Sequence, residues 1–60
     1  MYAELSVFND RSQSWQPIMS DPVATPEDWM QWRLEGLEGR YRMTLHNDRG
    51  DVVESREVTV

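Results

Sequence analysis

The sixty residues contain no cysteine and no lysine, a single histidine, three glycines and three prolines. Without cysteine no disulfide can staple the chain, and nothing points to an oxidising compartment. With His46 alone and no thiolate, no ordinary zinc site can be assembled. Without lysine there is no Walker-type phosphate loop, and no glycine-rich run stands in for one. No apolar stretch approaches the ~18 residues of a membrane span, and the first residues lack the basic start and apolar run of a signal peptide. The expectation from these absences is a soluble, cytoplasmic protein with no membrane partner, no metal and no cofactor. Sixty residues make one domain, 1–60. At that size only about 60% of the unfolded surface is buried, so the core is marginal.

Acid is what the chain does have. Eleven carboxylates stand against six arginines, a net charge of −5. The imbalance is confined to residues 1–39, where seven acids meet two arginines; residues 40–60 hold four of each. Net acidity argues against direct binding of nucleic acid. It speaks to partners and solubility rather than to fold.

Two stretches alternate with the period of a strand. In Tyr2 to Phe8, Ala3, Leu5 and Val7 share one face, with Tyr2, Glu4, Ser6 and Phe8 on the other. In Arg40 to His46, Tyr41, Met43 and Leu45 oppose Arg40, Arg42, Thr44 and His46. Each is followed by turn chemistry: Asn9-Asp10-Arg11-Ser12 in the first case, Asn47-Asp48-Arg49-Gly50 in the second. Ser14 to Met19 can return as a second strand anchored by Trp15, an edge strand because Pro17 has no N–H to donate. Asp51 to Val60 is the partner of the later strand, and its imperfect alternation calls for a bulge. Ser20 to Ala24 reads as a loop. Thr25-Pro26-Glu27-Asp28 opens a helix, with Thr25 as cap, Pro26 at the first helical position and two acids at the positive end of the dipole. Gly36 and Gly39 stop it, so the pattern predicts a helix from Pro26 to about Leu37. The expected fold is α+β, a hairpin-helix-hairpin (ββαββ) with one helix packed on an antiparallel sheet.

On a helical wheel with Trp29 at the origin, Leu37, Met30 and Leu34 fall at about 80°, 100° and 140°, which makes them the expected core stripe. Trp29 and Trp32 widen that arc. Opposite lie Glu27, Glu38, Gln31, Glu35 and Asp28, four carboxylates within an arc of about 100°. Arg33 falls on the other side of the wheel, so nothing offsets the acids within their stripe. Like charges at such spacing cost a few tenths of a kcal/mol each, roughly what opposite charges would gain. One reading is a solvated face that keeps a small protein soluble. The other is a docking face for a basic partner, with the carboxylates standing where DNA phosphates would. Trp15 and Trp29 read as core or core-edge residues. Trp32, at the margin of the arc beside Asp28, has interface composition if exposed.

No catalytic constellation is legible, and the expectation is a non-enzyme. His46 stands at a hairpin end with no nucleophile and orienter at triad spacing. Asn47, Asp48 and Asp51 around Gly50 lack the twelve-residue calcium spacing and read as a turn. Arg40, Arg42, Arg49 and Arg56 alternate with acids, which favours ion pairing over a nucleic-acid patch.

In length, in its charge of −5 and in its Glu27, Asp28, Glu35, Glu38 stripe, the chain resembles small acidic phage-encoded inhibitors of the anti-CRISPR kind. The resemblance is one of size and charge, with no shared motif and no residue role carried over. It implies a stoichiometric inhibitor in the host bacterial cytoplasm, covering the basic site where a type I effector reads the protospacer-adjacent motif. The residues expected to meet such a partner are Glu27, Asp28, Gln31, Trp32, Glu35 and Glu38, flanked by Asp10 and Asp21. The partner is a basic protein surface, a nucleic-acid-binding protein or complex, met by a monomer or weak dimer. A second expectation is an assembly module that pairs with another chain through a sheet edge or the Val58–Val60 tail.

Overall fold

A computed structural model describes all sixty residues. Five elements follow one another: β1 (Tyr2–Asn9), β2 (Ser14–Pro22), α1 (Pro26–Leu34), β3 (Arg40–His46) and β4 (Val52–Thr59). The strands form one sheet in the order β2-β1-β3-β4, every neighbour antiparallel. The chain is an α+β domain with the ββαββ order its periodicities predict.

The two alternating stretches become the central strands. Their register sets Leu5 against Met43 and Ala3 against Leu45, so the apolar parities of β1 and β3 fall on one face. Trp29 and Met30 of α1 close over that face. The seven buried apolar residues are Ala3, Leu5, Trp29, Met30, Tyr41, Met43 and Leu45. Val7, Met19, Val23, Leu34, Leu37 and Val58 pack around them, half-buried.

The opposite face of the sheet has no helix and is covered by its own side chains. The rings of Tyr2 and His46 stack at 4.6 Å, and Phe8 meets Trp15 edge-on at 5.2 Å. The guanidinium of Arg42 lies 4.5 Å over Trp15, and that of Arg40 lies 4.9 Å over Phe8. Beneath this cover Ser6 is buried. Trp15 is thus half-buried on the helix-free face, apart from the main core. Arg40 pairs with Glu57 at 3.1 Å and Arg56 with Glu54 at 2.9 Å, the ion pairing that the interleaved charges suggest.

Both turns form as their asparagines dictate. Asn9 Oδ1 accepts from the N–H groups of Arg11 and Ser12, and Asn47 Oδ1 accepts from those of Arg49 and Asp51. A bulge in β4 opposite Leu45 and His46 accounts for its broken alternation. Past it, Glu54, Arg56 and Val58 share the helix-side face.

Three readings need correction. Ser20 to Pro22 is strand rather than loop: it pairs with Tyr2 to Glu4, and an outer strand tolerates Pro22 because the missing N–H faces no neighbour. The helix ends at Leu34 rather than about Leu37. Glu35 leaves helical geometry at ψ 125° and Gly36 turns the chain at φ +79°, a left-handed value that glycine adopts without penalty. Leu37 still reaches the core, from the connection instead of from the helix. Thr25 holds the cap position and its carbonyl accepts the Trp29 N–H at 3.1 Å, but its side chain makes no capping bond. The Glu27 carboxyl is held below its ordinary pKa, first by its own backbone amide and then by Arg56.

Candidate functional site

Helix α1 is held from both flanks by charged side chains on the outer strands. Asp21 on β2 and Arg56 on β4 occupy helix-facing positions, by their pairing with Ala3 and Met43. Asp21 Oδ2 accepts from Trp29 Nε1 at 2.9 Å and from Arg33 Nη2 at 2.6 Å and Nε at 3.1 Å. Arg56 Nη2 donates to Glu27 Oε1 at 2.7 Å. These anchors decide which way the helix faces. Trp29 and Met30 point inward with Arg33 between them, reaching along the sheet to Asp21. Arg33 is therefore on the inward side of the helix, the side away from the acids on which the wheel sets it, and Asp21 is the partner the wheel does not supply.

What points outward is one compact constellation. Asp28, Gln31, Trp32, Leu34 and Glu35, with Val60 beside β4, line a shallow groove of about 670 Å³. Trp32 is 62% exposed. Its ring is propped by Arg33, whose guanidinium lies 4.2 Å from the ring centre while held by Asp21. Such a stack restrains the indole without burying it. Asp28 and Glu35 are exposed, and neither has a cation within ion-pairing distance.

The eight residues singled out from the sequence therefore separate. Asp28, Gln31, Trp32 and Glu35 come together at the groove. Glu27 lies on the β4 flank, tied to Arg56. Asp21 is committed to Trp29 and Arg33, and acts on the groove only by holding the residue that props Trp32. Glu38 is exposed in the connection after the helix, where its carbonyl accepts the Tyr41 hydroxyl at 3.1 Å. Asp10 is in the exposed turn between β1 and β2. Val60 was not foreseen. It reaches the groove because it exchanges two backbone hydrogen bonds with Gly39, at 2.8 and 2.9 Å, which continue the β3–β4 ladder. The expected strand Asp51 to Val60 contains that pairing; what its pattern does not announce is that its last residue meets the helix.

The electrostatics of Asp21 carry a pH prediction. Its pKa lies below the ordinary carboxylate value, first through the Trp29 hydrogen bond, then through that of Arg33 and, more weakly, the Arg33 charge. A depressed folded-state pKa gives stability that is full above the unfolded value of about 4 and is lost as pH falls through the folded value. D21N should therefore be less stable than the native chain at pH 7, and the gap should narrow as pH falls below about 4. Denaturant midpoints above and below that value measure it; a gap independent of pH would mean the charge of Asp21 does not matter.

The fold and groove define a class: a small α+β domain presenting an exposed tryptophan between unpaired carboxylates. No group of three His, Asp or Glu side chains is gathered in metal-binding geometry. No helix is long and apolar enough to cross a membrane. No family model, curated protein or solved structure matches the chain.

Proposed function

We propose that this protein is a non-enzymatic inhibitor that seats its helix groove on a basic, nucleic-acid-binding site of a partner. The observation that carries the reading is the pair of unpaired carboxylates, Asp28 and Glu35, on either side of the exposed, propped Trp32. Acids that merely keep a surface soluble need no aromatic among them. Acids that replace phosphates gain from a large, rigid apolar contact at their centre, where interfaces concentrate their affinity. Negative charge fixes register on a basic groove and speeds encounter. The net charge of −5 supports the same direction of attraction. The specific target we propose is a type I CRISPR effector subunit at its motif-reading site, in a bacterial cytoplasm.

The test is displacement of duplex DNA from a purified type I effector complex by the native chain, followed by mobility shift. The expected result is stoichiometric loss of DNA binding, reversed by salt. No loss at a tenfold excess would remove the CRISPR target. It would leave the groove to be tested on other basic DNA-binding proteins.

A further inference from the structure

We infer that β4 pairs with β4 of a second copy to make a symmetric dimer whose two-fold axis passes through Ser55. The inference is independent of what the helix groove binds.

The two outer edges of the sheet differ. The β2 edge is blunted: Pro17 and Pro22 have no N–H, and Ile18 is extruded where the register jumps between Leu5–Met19 and Ser6–Pro17. The β4 edge carries no proline; its one bulge lies at its start, at Val53, and Glu54 to Thr59 beyond it run in unbroken register. Two exposed valines, Val52 and Val53, stand on it. Its hydrogen-bond phase follows from Gly39 and Val60, which exchange both backbone bonds. In an antiparallel ladder such pairs alternate with pairs that make none. Val58 and Arg56 thus bond inward to Tyr41 and Met43, while Thr59, Glu57 and Ser55 aim their N–H and C=O groups away from the sheet.

Those outward groups restrict the registers open to a second copy. Outward residues must face outward residues, so a two-fold axis passes through a residue rather than between two. Centred on Glu54, Arg56 or Glu57, the pairing sets like charges directly opposite one another, which destabilises. Centred on Ser55, it sets Glu54 of each copy against Arg56 of the other, on the helix side of the sheet. Glu54 and Arg56 already attract within one strand. The dimer closes them into a ring of four alternating charges. On the other face Glu57 of each copy lies over Val53 of the other. This self-complementarity selects a second copy as the occupant. Both helices would then ride on the same face of a continuous eight-stranded sheet.

The chain has no native cysteine, so single cysteines report the register directly. Across a hydrogen-bonded antiparallel pair the Cα atoms are about 5.5 Å apart, within the reach of a disulfide. Under mild oxidation S55C should cross-link to twice the 7.1 kDa of the chain, and E57C should stay uncross-linked. Sedimentation of the native chain should show mass rising with concentration. S55P removes an outward N–H only; it should stay at the single-chain mass at every concentration, with an unchanged far-UV spectrum. Cross-linking of E57C as readily as S55C would overturn the register. A native chain that stays at single-chain mass up to millimolar concentration would overturn the dimer. Should S55P fail to fold, the cysteine pair and the native mass decide alone.

Discussion

Replacing Trp29 with alanine should lower the melting temperature by on the order of 20 °C, whereas the same change at Trp32 should leave it nearly unmoved. Sixty residues support a total stability of about 3–9 kcal/mol. Removing a buried tryptophan costs about 3–5 kcal/mol through lost apolar burial and the cavity left behind. Trp29 is 7% exposed and is one of only two helix residues in the buried core. Its indole N–H is also the bond that joins the helix to Asp21. Little is available to fill the cavity, because the sheet is covered on that side by one helix and by Val23 and Leu37 from its two connections. A domain of this size loses about 4–8 °C per kcal/mol, so W29A should melt on the order of 20 °C lower. W32A removes a side chain that is 62% exposed and should stay within about 0.5–1 kcal/mol of native. Thermal melts followed by far-UV circular dichroism compare the two. Equal shifts would mean that the helix faces the sheet differently from the packing described.

The second large effect is on binding. W32A should weaken the complex by about thirtyfold, the loss of a central aromatic anchor worth about 2 kcal/mol. D28N/E35Q should weaken it too, but with a different signature. The Trp32 loss should be independent of ionic strength, because the contact is apolar. The carboxylate loss should be large at low salt and small at high salt, because exposed charges are screened over about 8–10 Å at physiological ionic strength. Changing Glu27 or Glu38 to glutamine should matter less, since Glu27 is occupied by Arg56 and Glu38 lies off the helix. Titration calorimetry at two salt concentrations separates these cases. A W32A complex as tight as the native one would remove the groove from the interface.

The fold was legible where a local pattern coincides with a global need. The alternation in Tyr2 to Phe8 and in Arg40 to His46 requires one buried face each, and the two faces meet across a single register. Asn9 and Asn47 specify their turns through their own side chains, and Pro26 with two following acids specifies a helix start. Three features were not legible, each for a tertiary reason. Ser20 to Pro22 has turn composition but lies alongside Tyr2 to Glu4, whose unpaired edge recruits it into the sheet. The wheel shows which residues share a face but not which direction is inward. Asp21 and Arg56, distant in sequence, settle that by gripping Trp29 and Arg33 on one flank and Glu27 on the other. The inward direction falls between Trp29 and Met30, and Trp32, still about 110° around the helix from it, stays in solvent. The acidic stripe, continuous on paper, is divided by the same anchors and by the early end of the helix at Leu34. What stays exposed of it at the groove, Asp28, Gln31 and Glu35, joins Trp32 from the margin of the apolar arc to form the candidate site.

The most direct test of that site is capture by the immobilised chain, at low and high salt, of proteins from a lysate rich in DNA-binding complexes, with D28N/E35Q alongside. The account predicts that the native chain retains a basic, DNA-binding protein at low salt and releases it at high salt, and that the variant, equally well folded, retains far less. Equal retention by both chains at both salts would contradict it. The acids of α1 would then be a solvated surface and nothing more.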